Sequence, residues 1–116
     1  MNESGNELMK HLESNEKMWS SWMANGINPE TEFSVGFNFY ASSESARKAL
    51  CAELKDAEIL YTEKHIRTLL IFKGWQVTAS IAQKWSLVTL QGKTGYMYVL
   101  SKQTDTLYEG VVYGNI

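Results

Sequence analysis

The chain has only two histidines, His11 and His65, and one cysteine, Cys51, so a nucleophile–base site or a Cys/His metal cage has little to draw on. A catalytic histidine needs a positioned partner, and a structural zinc needs four Cys or His ligands. His65 lies among Glu63, Lys64 and Arg67, with no second ligand nearby, so it reads as a solvated edge residue. Cys51 is flanked by Leu50, Ala52 and Leu54, which suggests a half-buried helix position and an inert thiol. The carboxylate pairs Glu30/Glu32 and Asp56/Glu58 read as solvated charges. Gly92-Lys93-Thr94 is not a phosphate-binding loop, because Leu87 occupies the place of the required upstream glycine. The expectation is a non-enzyme with no catalytic residue, no metal site and no cofactor.

Contact chemistry is better supplied. Four Trp, six Tyr and four Phe suit packing and protein interfaces. At 116 residues, with 44% hydrophobic and 21% charged content, the chain is expected to form one globular domain. A net charge of −2, dispersed along the chain, argues against broad binding to phosphate backbones, so no direct nucleic-acid partner is expected. The stretch Met1–Lys17 lacks the apolar region of a secretory signal, and no apolar run reaches the ~20 residues that span a bilayer. With one unpaired cysteine, these features point to a cytoplasmic, non-membrane protein.

The elements that must position these residues follow from periodicity. Leu8, Leu12, Asn15, Trp19 and Trp22 fall at helical spacing between about Glu3 and Asn25, widened by Met9, Met18 and Met23. Asn25-Gly26 supplies the stop, and Pro29 begins an extended connection. Phe33, Val35, Phe37 and Phe39 alternate with Ser34, Gly36, Asn38 and Tyr40, as in a half-buried strand. Ser42 or Ser43 caps a helix running to about Asp56, with Ala46, Ala49, Leu50, Glu53 and Leu54 marking its register. Glu58 to Phe72 returns to β character, and Lys73-Gly74 reads as a hairpin turn into Trp75–Ala79. Residues 86–102 are ambiguous. Propensity favours a hairpin about Gly92 and Gly95, whereas Leu87, Leu90, Thr94, Met97 and Leu100 make a helical stripe. Thr106 to Tyr113 reads as a strand, with Leu107, Val111 and Tyr113 on one side and Tyr108, Gly110 and Val112 on the other.

Taken in order, these features resemble the regulator of ribonuclease activity B family, the protein inhibitors of ribonuclease E. The similarity is carried by a polar first helix closing on Asn25-Gly26-Ile27-Asn28-Pro29-Glu30 and by Ala41-Ser42-Ser43-Glu44 entering a helix. It continues in Lys73-Gly74, the spacing from Trp75 to Tyr108, and the ending Tyr108-Glu109-Gly110-Val111, which is similar to a family Tyr-Asp-Gly-Trp. Two features differ: the Trp is lost, and 13 acids stand against 11 bases where family inhibitors are strongly acidic. The resemblance implies an α+β, ferredoxin-like βαββαβ sandwich, with a four-stranded antiparallel sheet and helices on one face. The amino-terminal helix (1–27) is added to a core spanning 31–116. It also implies that 86–102 is the second crossover helix.

The function expected on this basis is a non-catalytic regulator that binds another protein, such as a ribonuclease, and modulates RNA degradation. Trp19, Trp22, Tyr108 and Glu109 are the candidate contact residues. An immunity-type protein that neutralises a toxin is the alternative, and a small-ligand or RNA-binding module using the sheet face is a third reading.

Overall fold

The computed structural model describes residues 3–68 and 72–114. Along the chain run helix α1 (Glu3–Ala24), strand β1 (Phe33–Ala41), helix α2 (Glu44–Asp56), strands β2 (Leu60–Thr68) and β3 (Phe72–Gln83), helix α3 (Leu87–Gln103) and strand β4 (Leu107–Tyr113). The four strands form one sheet in the order β2-β3-β1-β4, every neighbouring pair antiparallel. With the helices on one face, this is the expected α+β, ferredoxin-like arrangement, in which each βαβ crossover spans an intervening strand.

Local chemistry explains the boundaries. Gly26, with φ +87°, lies beyond the end of α1 in a conformation that L side chains rarely adopt. At α2, the Ser43 hydroxyl accepts the Ala46 N–H at 3.1 Å. α3 opens on a reciprocal cap: Ser86 Oγ accepts the Thr89 N–H at 3.1 Å, and Thr89 Oγ1 accepts the Ser86 N–H at 2.9 Å. That cap favours the helix over the hairpin suggested by propensity, and burial of Leu90, Thr94, Met97 and Leu100 reinforces it. Tertiary packing outweighs the cost of two mid-helix glycines, about 1 kcal/mol each.

The core lies between sheet and helices. Val35, Phe37 and Phe39 on β1 and Val77 and Ala79 on β3 are fully buried against Leu50, Leu54, Leu90 and Met97 from the helices. Each large apolar side chain so buried stabilises the fold by roughly 1.5–3 kcal/mol. The Trp85 indole fastens the start of α3 to the sheet by donating to the Phe33 carbonyl at 3.0 Å.

Several details depart from the sequence reading. Lys73 and Gly74 do not turn a hairpin. They lie inside β3, opposite Arg67 and Ile66, because the β2–β3 ladder continues to Thr68 and Phe72. The connection at 69–71, including the predicted β residues Leu69 and Ile71, lies outside the described residues. Gly74 is required for another reason: the Tyr40 ring lies over it, where a Cβ would collide. In β4 a bulge at Glu109 breaks the simple alternation, since Asn38 pairs with Gly110 while Phe39 pairs with Tyr108. Tyr108 and Val111 therefore share the helix-covered face, and Gly110 takes φ +121°. Finally, Ala49 and Glu53 of α2 and Met9 of α1 are exposed. The buried register of α2 is Ala46, Leu50, Cys51 and Leu54.

Candidate protein-contact surface

The residues with catalytic potential are dispersed. Cys51 is buried under α2, and desolvation, seconded by the nearby Glu63 carboxylate, pushes its thiol up to about 11. Arg47 holds Glu63 through a 2.6 Å contact, and its guanidinium lies 5.3 Å from the Trp75 ring centroid. Arg47 thus neutralises the carboxylate nearest the thiol without making the thiol reactive. His65 stacks on the Trp75 ring at a centroid distance of 5.0 Å. His11 sits at the seam between α1 and α3, edge-on to Tyr108 at 4.8 Å. Among the described residues, no three His, Cys, Asp or Glu side chains gather into a potential metal cage.

Of the four predicted contact residues, two are withdrawn by burial. Trp22 is only 7% exposed, packed against Phe33 and Tyr113, and Tyr108 is 3% exposed beneath α1, edge-on to Phe39. Both serve as core because their strongly apolar bodies close the sheet edge under α1. The Tyr108 hydroxyl lies beside Thr94 without completing a well-aligned hydrogen bond, and burial pushes its pKa upward. Trp19 is half-buried on α1, edge-on to Trp22 at 6.1 Å, and Glu109 is exposed on the β4 bulge. Trp19 packs on Trp22 and Phe33, and with Trp22 and Tyr108 in the core the four do not form one exposed site.

α1 docks on α3 through a seam that is largely polar. Asn15, 2% exposed, donates to Gln91 Oε1 and to Thr94 Oγ1, both at 2.8 Å. The Gln91 amide in turn donates to the Leu12 carbonyl at 2.9 Å. At the other end of the seam, the Tyr98 hydroxyl and the Lys102 ammonium both donate to the Glu7 carboxylate, at 3.0 and 3.2 Å. Those two bonds hold the Glu7 carboxyl below its ordinary value.

Two faces stand out as uncovered among the described residues. The uncovered side of the sheet carries Asn38, Tyr40, Gln76, Thr78 and Ser80 along its centre, with Thr78 donating to Asn38 at 2.7 Å. On this face the Tyr40 ring lies over Gly74, and its hydroxyl donates to the Lys73 carbonyl at 3.3 Å.

The second face is the outer side of α3. Having buried Leu90, Met97 and Leu100 below, the helix exposes Val88 (80%), Tyr96 (44%) and Val99 (52%) above. Gly92 and Gly95 lie in the same stripe, with nothing within 4 Å of where a Cβ would stand. A surface helix ordinarily has one apolar stripe and one polar face. α3 has apolar residues on both, and contains no Asp or Glu. Sequence reasoning overlooked this face, since it followed only the stripe from Leu87 to Leu100. The recurrence of Val88, Tyr96 and Val99 at helical spacing on the other side was the available signal.

No helix among the described residues is long and apolar enough to cross a membrane. No family model matches the chain, and no curated protein matches it significantly.

Proposed function

We propose that this protein is a non-catalytic regulator that acts by binding another protein, and that the outer face of α3 is its contact surface. The carrying observation is the second apolar face on a helix whose first face is already buried: Val88, Tyr96 and Val99 are exposed around two glycines. Exposed aliphatic and aromatic groups grouped on one rigid element are what an interface core requires. The target class is a ribonuclease of the RNA-degradation machinery in the cytoplasm, as the resemblance to ribonuclease E inhibitors implies. The shared order of helix, strand, capped helix and Tyr108-Glu109-Gly110 ending supports that choice.

Purified ribonuclease E, titrated with the full chain during cleavage of an RNA substrate, tests the reading. Inhibition should saturate at a fixed molar ratio, and Val99→Lys should weaken it at least tenfold. Absence of inhibition and of binding at micromolar concentration removes ribonuclease E as the target. A toxin that binds the wild type but not Val99→Lys would then support the immunity-type role on the same face.

A further inference from the structure

The stripe on the outer face of α3 reads the same in both directions. Val88, Gly92, Gly95 and Val99 are separated by four, three and four residues. We infer that this face pairs with the same face of a second copy of the chain, α3 crossing α3 antiparallel about a two-fold axis between Lys93 and Thr94. The inference rests on the reading of this face as a protein contact and names one occupant for it.

A two-fold interface must be self-complementary: if residue i meets residue j, then j meets i. Antiparallel pairing about that axis sets each Val88 against Val99 of the second copy and each Gly92 against its Gly95. The glycines lower the centre of the helix surface, so two backbones approach closely while the valines fill the ends of the groove. The fold itself does not call for glycine there, since a Cβ at either position would meet nothing within 4 Å. A close approach from outside does.

The electrostatics agree with the antiparallel sense. Each helix start, where N–H groups leave a partial positive charge, comes to lie near the partially negative end of the other. The four residues of the stripe, Val88, Gly92, Gly95 and Val99, carry no charge. Lys93 stands to one side, 5.5 Å from the Tyr96 ring centroid, and Lys102 is held on the other side by Glu7 at 3.2 Å. One helix pair covers less than the roughly 1,200–2,000 Å² of a standard stable interface, so the dimer is reversible and yields the face to a tighter target.

Sedimentation equilibrium of the full chain from micromolar to millimolar concentration tests this. The wild type should fit a monomer–dimer equilibrium, and Val99→Lys should weaken it at least tenfold with an unchanged circular dichroism spectrum. Gly95→Ala should raise the melting temperature while weakening the dimer, a pairing that a purely structural role would not give. A chain carrying both Val88→Cys and Val99→Cys should form disulfide-linked dimers on oxidation, whereas either single variant should not. A wild type that stays monomeric throughout, or a dimer indifferent to Val99→Lys, overturns the inference. If the chain is monomeric and Val99→Lys still abolishes target binding, the contact reading survives. If Val99→Lys alters neither, both fail.

Discussion

The Asn15 amide donates to the Thr94 hydroxyl at 2.8 Å, joining the first helix to the fifth residue beyond the capping Thr89 of α3 in a fully buried position. The same amide serves Gln91, so one side chain fixes the register of α1 on α3. Asn15→Ala leaves buried acceptors without their donor and should destabilise the fold by about 1–3 kcal/mol. Chemical denaturation monitored by Trp fluorescence would measure it, since Trp19 and Trp22 ride on α1.

His11 makes the same seam sensitive to acid. Burial pushes its pKa below the ordinary 6.5, opposed by the weaker pull of Glu7. The unfolded chain therefore takes up the proton first. Stability from this group is complete above pH 6.5 and declines as pH falls through 6.5 towards the lower folded-state value. Glu7, also depressed, adds a further loss below 4.5. Thermal melts between about pH 7 and 5.5 should show a falling midpoint that His11→Gln flattens.

Two kinds of glycine should respond oppositely to alanine. Gly92→Ala on the exposed side of α3 should stabilise the monomer by about 0.4–1 kcal/mol, because the helix gains a better former and the Cβ has room. Gly74→Ala should destabilise by about 1–3 kcal/mol, because the Tyr40 ring must leave its place over the strand. Dilute-solution thermal unfolding would separate the two signs.

With its thiol pushed up to about 11, Cys51 is almost wholly protonated at neutral pH. Alkylation at pH 8 should run roughly a hundredfold slower than for a free thiol, before any further slowing by burial. Rapid labelling in the folded protein would contradict the inert-core role of this residue.

The sheet and the first two helices were legible in the residues because strong local signals agreed: the Phe33–Phe39 alternation, the Ser43 cap and the Asn25-Gly26 stop. α3 was not, since Gly92 and Gly95 lower helix propensity and its stability comes from the Ser86 cap and from burial on the sheet. The Glu109 bulge escaped because one inserted residue leaves no mark on composition yet exchanges the faces of everything beyond it. Trp22 was singled out for its size and Tyr108 for its place in the family-like ending, and both lie in the core. The outer face of α3 went unread because the reading followed only the stripe from Leu87 to Leu100, although Val88, Tyr96 and Val99 recur at helical spacing on the other side.

The central claim, that the outer face of α3 is a protein-contact surface, is tested most directly by NMR of the chain in a concentration series and with ribonuclease E added. The account predicts that the methyl signals of Val88 and Val99 and the amides of Gly92 and Gly95 shift, while Asn38 and Thr78 on the open sheet stay in place. Shifts confined to the sheet face, with Val88 and Val99 unmoved, would contradict it.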